Sequence, residues 1–256
     1  MRRHSPSHCK RSTDSMKVTI PIKQCAEVAA LLWQKGWAER NGGNVVVRLD
    51  EDDELRGLPP LAAGLPCGVS VPHLAGRFLF SKGAGCRMRD LANSPMDNGS
   101  IIRISPDGKS YDIVACRPIR PTSELATHLL LHDRLVSEGL PGRVTLHTHP
   151  TELVGLSHQA ALCSTERLTT LLHRMIPEAR LFCPRGIAVV PYAEPGSNLL
   201  AQATLEAALT HDVVLWAGHG AVAVGVDAME SFDSIDVMNK AAQIYLAFCI
   251  ASSVRL

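Results

Sequence analysis

Val144-Thr145-Leu146-His147-Thr148-His149-Pro150 is the stretch around which the rest of this chain can be ordered. Its β-branched and apolar residues favour an extended strand. Side chains alternate faces along a strand, so residues two apart point the same way. His147 and His149 therefore project together and can reach one point in space. Pro150 has no N–H for a ladder, which ends regular pairing and leaves both imidazoles near a strand end. An isolated His-x-His is also what a solvated strand face carries, so the pair alone does not decide. His219 adds weight. It stands between Gly218 and Gly220, flanked by the apolar runs 213–217 and 221–226. Those runs read as two strands, and the glycines allow a tight turn or close approach of another group. The plain alternative for His219 is a turn residue with a backbone hydrogen bond. Three imidazoles can hold a divalent ion and leave one position open. Zinc suits such an all-nitrogen set, and nickel, cobalt or iron would also fit. Glu124, in Pro121-Thr122-Ser123-Glu124-Leu125, is then a carboxylate that can move protons on whatever the ion polarises. Its plain alternative is an acid complementing the dipole of a helix start.

Working outward, the spacing of Ala26, Ala29, Ala30, Trp33 and Trp37 predicts a helix over 24–40, stopped by Asn41-Gly42-Gly43-Asn44. A β-branched strand follows over 45–49. Residues 50–66 are acidic and then Pro/Gly-rich, which predicts a loop. Residues 77–80 read as a short strand leading into Lys82-Gly83-Ala84-Gly85, and 99–116 as a strand pair around Asp107-Gly108. Helices are expected over 123–138, capped by Thr122 or Ser123, and over 159–175, 198–209 and 229–252. Strands are expected over 144–149, within 180–190, and twice within 213–226. Strands interleave with helices and several pair as hairpins. The fold class that follows is α/β, a three-layer αβα sandwich around a mostly antiparallel or mixed sheet.

Composition bounds the rest. The 256 residues are 46% hydrophobic, enough for a substantial core, and only 4% aromatic, so aliphatic residues must fill it. A formal net charge of +1 excludes nucleic acid or a membrane surface engaged by bulk charge. Eight cysteines are scattered with no CxxC pair, as free thiols in a reducing cytoplasm would be. The basic, polar opening residues 1–16 read as a disordered tail or a misassigned start with Met16 the true beginning, leaving 17–256 as a single domain. No apolar stretch has the length of a membrane span.

Two further clusters are weak alone. Asn41-Gly42-Gly43-Asn44 sets carboxamides and backbone amides at a helix–strand junction, where an anion can rest, though an ordinary helix stop looks the same. Lys82-Gly83-Ala84-Gly85 lacks the spacing of a nucleotide loop. Glu178, in Ile176-Pro177-Glu178-Ala179-Arg180, has the look of a surface acid.

Taken together and in order, Gly36-Trp37-Ala38-Glu39-Arg40-Asn41-Gly42-Gly43-Asn44, Arg120-Pro121-Thr122-Ser123-Glu124-Leu125, His147-Thr148-His149-Pro150 and Trp216-Ala217-Gly218-His219-Gly220 resemble the class II aldolase/adducin family. The likeness is greatest to its rhamnulose-phosphate branch and covers residues 25 to 248. It implies one zinc per subunit on His147, His149 and His219, with Glu124 as acid/base. It implies a phosphate cradle from Asn41, Gly43, Asn44, Gly83, Ala84, Gly85 and Ser123, and Glu178 as a second pocket carboxylate. The expected reaction is reversible cleavage of L-rhamnulose 1-phosphate to dihydroxyacetone phosphate and L-lactaldehyde in rhamnose breakdown. A cytoplasmic homotetramer is expected, with sites near subunit interfaces. Fuculose 1-phosphate cleavage, ribulose 5-phosphate 4-epimerisation, methylthioribulose-phosphate dehydration and a non-catalytic adducin-like module are the alternatives, the last opposed by the intact triad. Ala84 and Cys86 stand where the family carries a hydroxyl and often a lysine, with Lys82 a candidate replacement. The chain also ends soon after its last helix, so the family's C-terminal extension is expected to be short or absent.

Overall fold

A computed structural model describes residues 19–49 and 53–253. The expected tail or misassigned start lies outside the described residues. In chain order the elements are α1 (Ile20–Gln34), β1 (Asn44–Leu49), α2 (Asp53–Arg56), β2 (Ala62–Pro66), β3 (Phe78–Lys82), α3 (Met88–Asn93), α4 (Pro95–Asn98), β4 (Gly99–Ile104) and β5 (Ser110–Cys116). Then come α5 (Leu125–Ser137), β6 (Val144–Thr148), α6 (Thr151–Ser157), α7 (Thr165–Met175), α8 (Pro177–Phe182), β7 (Ile187–Val190), α9 (Asn198–Ala208), β8 (Val213–Trp216), β9 (Gly220–Gly225) and α10 (Ala228–Ser253).

The nine strands among the described residues form one sheet in the order β2-β5-β4-β3-β1-β6-β9-β8-β7. Every pairing is antiparallel except β7 with β8. The period of two in the strands builds the layers. Val45, Val47 and Leu49 of β1, with Leu146 of β6 and Val213 and Leu215 of β8, pack against α1, α3, α6, α7 and α10. Val46, Leu79 and Ile102 turn to the other face, under α5, and Val214, Trp216 and Val222 pack with Leu131 of α5 and Leu200 of α9. A mixed, mostly antiparallel sheet between helical layers is the expected sandwich.

Several boundaries differ from the sequence expectations, each for a local reason. The first helix ends at Gln34 rather than continuing to 40. Gly36 takes φ +72, its N–H donates to Trp33 O, and Trp37 N–H donates to Leu32 O. This pair of bonds closes the last helical turn and drives Trp37 into the core. The stretch expected to be a loop over 50–66 holds the short α2 and the edge strand β2, which pairs with β5 through a register shift. Residues 159–175 are helical only from Thr165, because Ser164 is extended at φ −145, ψ 146. The helix α6 directly after Pro150 was not anticipated. Within 180–190 only Ile187–Val190 is strand; residues 180–182 finish α8 and 183–186 turn into the strand. Of the eight cysteines, the seven among the described residues are all free thiols.

Candidate metal and acid–base site

Strand pairing fixes the site. Asn44 of β1 lies opposite His147 of β6, and His147 lies opposite Val222 of β9. Because Val144 and Leu146 serve one face of the sheet, Thr145 and His147 serve the other, toward α5. His149 follows one residue past the strand, anchored where its N–H donates to Trp37 O at 3.0 Å. His219 sits in the β8–β9 turn, its N–H donating to Trp216 O at 3.0 Å. Ring centroids of the three imidazoles are 4.9 to 5.4 Å apart, and one ligand nitrogen from each lies within 4.8 Å of the others.

Gly220 is what permits this crowding. A Cβ there would meet Thr148 O at 2.5 Å, His147 Cε1 at 2.7 Å and His149 Cδ2 at 2.9 Å. The close approach expected at a glycine is made here by the other two histidines.

Hydrogen bonds set which nitrogen each ring offers. His147 Nδ1–H donates to Ala221 O at 3.1 Å, which leaves Nε2 bare. His149 Nδ1–H donates to Glu39 Oε1 at 2.6 Å and likewise presents Nε2. These two Nε2 atoms are 3.2 Å apart, close to the roughly 3.3–3.4 Å edge of a tetrahedron with ~2.0–2.1 Å metal–nitrogen bonds. His219 Nε2 faces Glu124 Oε1 at 3.5 Å, while its Nδ1 is buried with no partner. Burial pushes the His147 pKa well below its ordinary value and holds His219 at about 4, so both rings are neutral, as ligands must be. Three imidazoles brought together, with the Nδ1–H groups of His147 and His149 tied to oxygen and their Nε2 atoms facing one point, fit a divalent metal. Trp216 backs the group, its ring 4.4 Å from that of His147 and its Nε1–H donating to Thr204 Oγ1 at 2.8 Å.

Glu124, one residue before the first turn of α5, is 4% exposed. Its Oε2 lies 3.5 Å from His147 Nε2 and accepts a 2.8 Å hydrogen bond from Asn44 Nδ2. Burial raises its pKa, against which the Asn44 bond and the charges of His149 and Lys82 act. The carboxylate and the triad are therefore one site, although they come from distant parts of the chain.

The other expected residues are placed less uniformly. Asn44 is committed through both ends of its amide, to Glu124 and to His128. Asn41 is exposed, and its carbonyl accepts from Lys82 Nζ at 2.8 Å. Gly43, at φ +69, turns the chain into β1. In the glycine loop, Gly83 N–H donates to Asn98 O and Ala84 N–H to Arg120 O, which leaves Gly85 as its free backbone turn. Ser123 is exposed beside Glu124. Glu178 is not brought to the imidazoles. It is exposed on α8, the helix that feeds the start of β7, whereas His219 lies beyond the end of the parallel neighbour β8. Glu39, Thr145, His128 and His132 were not anticipated as site residues. The signal available for His128 and His132 was their spacing of four and eight residues from Glu124 along a helix.

Fold and site define a class of proteins. The sequence profile described as Class II Aldolase and Adducin N-terminal domain matches residues 23–246, and this chain belongs to that family. Among curated relatives, rhamnulose-1-phosphate aldolase of Bacteroides thetaiotaomicron is 48% identical over 228 residues, covering 88% of this chain and 85% of that protein. The protein of the same name from Listeria welshimeri is 34% identical over 230 residues, covering 88% and 82%. A sugar-phosphate aldolase from Thermotoga maritima has a similar crystal structure, with TM-score 0.78, 32% identity, and coverage of 92% of this chain and 97% of that one.

Proposed function

We propose that this protein is a metal-dependent aldolase that cleaves L-rhamnulose 1-phosphate reversibly to dihydroxyacetone phosphate and L-lactaldehyde. The observation that carries the reading is the cluster of His147, His149 and His219, with the buried carboxylate of Glu124 3.5 Å from the Nε2 atoms of His147 and His219. The names of the relatives and the branch-specific motifs support this ketose over the fuculose and ribulose phosphates. Zinc is the proposed ion, held by the three histidines, and when bound it would act as a Lewis acid on the substrate ketone.

The chain's own groups supply the rest. Glu124 carries a proton between solvent and the donor carbon. Its raised pKa brings it nearer neutrality, where a carboxylate both accepts and returns a proton efficiently. Asn44 steadies that carboxylate. The phosphate rests against the Asn41–Asn44 turn, the Gly83–Gly85 loop and Ser123. Lys82 supplies the positive charge there: it is 3% exposed and its Nζ donates to the Asn41 carbonyl. Among the described residues it forms no ion pair, and burial holds its pKa down at about 8. A buried ammonium with one neutral partner is a poor structural element but a good seat for a dianion. Lys82 thereby stands in for the hydroxyl and ammonium absent at Ala84 and Cys86. Glu178 is exposed on α8, at the end of the β7–β8 pair away from His219, so its proposed role requires the homotetramer, in which another copy brings it to the site. No helix among the described residues is long and apolar enough to cross a membrane, and the proposed setting is the cytoplasm.

The test is turnover of L-rhamnulose 1-phosphate by zinc-loaded protein with and without a chelator, with dihydroxyacetone phosphate as the readout. Chelator-sensitive release is expected. Bound zinc with no cleavage would refute the substrate, and epimer or dehydrated product would replace the reaction.

A further inference from the structure

We infer that His128 and Thr145 are positioning residues for Glu124, acting through the side-chain amide of Asn44; the inference rests on Glu124 being the acid–base group proposed above. Five side chains lie in one buried file. His132, Thr145 and His128 are fully buried, while Asn44 and Glu124 are 5% and 4% exposed.

The direction of every bond in the file follows from its fixed end. The Val46 carbonyl can only accept, and His132 Nε2 lies 3.3 Å from it and 3.2 Å from Thr145 Oγ1. The proton of neutral His132 is therefore on Nε2, which leaves its Nδ1, buried and without a partner, as the bare nitrogen. A protonated His132 Nε2 cannot accept from Thr145, so the hydroxyl hydrogen is free to go to His128 Nδ1 at 2.6 Å. The competing acceptor, Val46 O, is 3.5 Å away. With Nδ1 accepting, His128 carries its proton on Nε2, which donates to Asn44 Oδ1. The amide then has one orientation, with Nδ2 donating to Glu124 Oε2 at 2.8 Å. A flip would set a nitrogen against the His128 N–H and an oxygen against a carboxylate.

The file ends on a reacting group and not on another carbonyl. It pins Oε2 and leaves Oε1 toward the His219 imidazole and the substrate space. Thr145 faces Val46 across the β1–β6 pairing, and His128 and His132 stand one and two turns along α5 from Glu124. The same bonds thus tie the helix carrying the carboxylate to the strands carrying Asn44 and His147. This reassigns the Asn44 side chain from phosphate to carboxylate, while its backbone still borders the Asn41–Asn44 turn.

Two measurements test the inference. Long-range 1H–15N spectra of histidine-labelled wild type, with no substrate present, should show His128 and His132 as neutral Nε2–H tautomers. Thr145→Val removes the hydroxyl at nearly constant volume. It should lower kcat about 10- to 100-fold, with KM and bound zinc close to wild type, and Thr145→Ser should recover kcat. An Nδ1–H tautomer at His128, wild-type kcat in Thr145→Val, or equal losses in the valine and serine variants would each overturn it. Failure of the wild type to cleave L-rhamnulose 1-phosphate would defeat the proposed function, while the tautomer spectra still decide the hydrogen-bond file.

Discussion

Replacing Gly220 by alanine asks whether the triad depends on the space this glycine leaves. The added Cβ would sit 2.5 Å from Thr148 O, 2.7 Å from His147 Cε1 and 2.9 Å from His149 Cδ2. Ordinary contacts to carbon are near ~3.5 Å, so each of the three neighbours must yield roughly 0.6–1 Å. One of them is a backbone oxygen inside the β6–β9 ladder and cannot swing aside. The other two are rings already held by Ala221 O and Glu39. Metal–ligand distances tolerate only about 0.2 Å. We expect zinc affinity to fall at least about 10- to 100-fold, with overpacking costing a further ~1–3 kcal/mol of stability in the metal-free protein. At saturating zinc a 100-fold weaker site removes roughly 2.7 kcal/mol of metal-linked stabilisation. The combined loss lowers Tm by about 7–23 °C for a chain of this size. Competition against a chromophoric chelator gives the affinity, and calorimetry with and without zinc separates the two contributions. Gly155→Ala is the control: Gly155 is exposed in the helix α6 with nothing within 4 Å of its would-be Cβ. That change should be neutral or stabilising by up to ~1 kcal/mol. If Gly220→Ala bound zinc as tightly as wild type, the steric account of the site would be wrong.

Three further outcomes are expected. Glu124→Gln should keep zinc, with the new amide oxygen still accepting from Asn44, yet lose about 10²–10⁴-fold in kcat; wild-type turnover would remove Glu124 from its role. Lys82→Met should raise KM for L-rhamnulose 1-phosphate about 10- to 100-fold, as expected for loss of a charge-assisted bond, and weaken inhibition by inorganic phosphate in parallel. A kcat loss without a KM change would instead make Lys82 a partner of Glu124. Stability should fall as pH drops from about 6.5 toward 3. His128 and His132 are held neutral down to about 3 by burial, whereas in the unfolded chain they protonate near 6.5. The unfolded state therefore binds more protons throughout that window, and each histidine contributes a slope of about 1.4 kcal/mol per pH unit. Denaturant midpoints at pH 7 and pH 5 measure it, and equal midpoints would contradict the buried neutral pair.

The parts of the site that were legible in the sequence are those fixed by one local period. His147 and His149 share a face because a strand repeats every two residues, and His219 announced itself by two glycines inside apolar runs. The helix end at Gln34 was missed because the apolar spacing ran on through Trp37. That residue is buried not as helix but by the reversal at Gly36. The edge strand β2 was missed because Pro66 and Gly64 look like loop residues. At a sheet edge the missing N–H and the positive φ cost little.

What no single period reveals is the crossing of two of them. Along α5, Glu124, His128 and His132 recur every four residues. Along β1 and β6, Asn44 with Val46 and Thr145 with His147 recur every two. Each file is visible once named, but the apolar spacing of Leu125, Leu129 and Leu135 predicts only one buried face for α5. In the structure every residue from Leu125 to His132 is buried, because the helix lies on the sheet and is itself packed by α9. A helix buried all round has no solvent face against which polar residues stand out. Its histidines therefore read as interruptions of an apolar pattern, when they are the means by which the helix meets the strands. Burial without a partner would be costly for each, so a polar file along such a helix implies a complementary file on the surface beneath it. That complement is Thr145 and Asn44, and the carboxylate at its end is held at the point where β6 and β9 deliver their imidazoles.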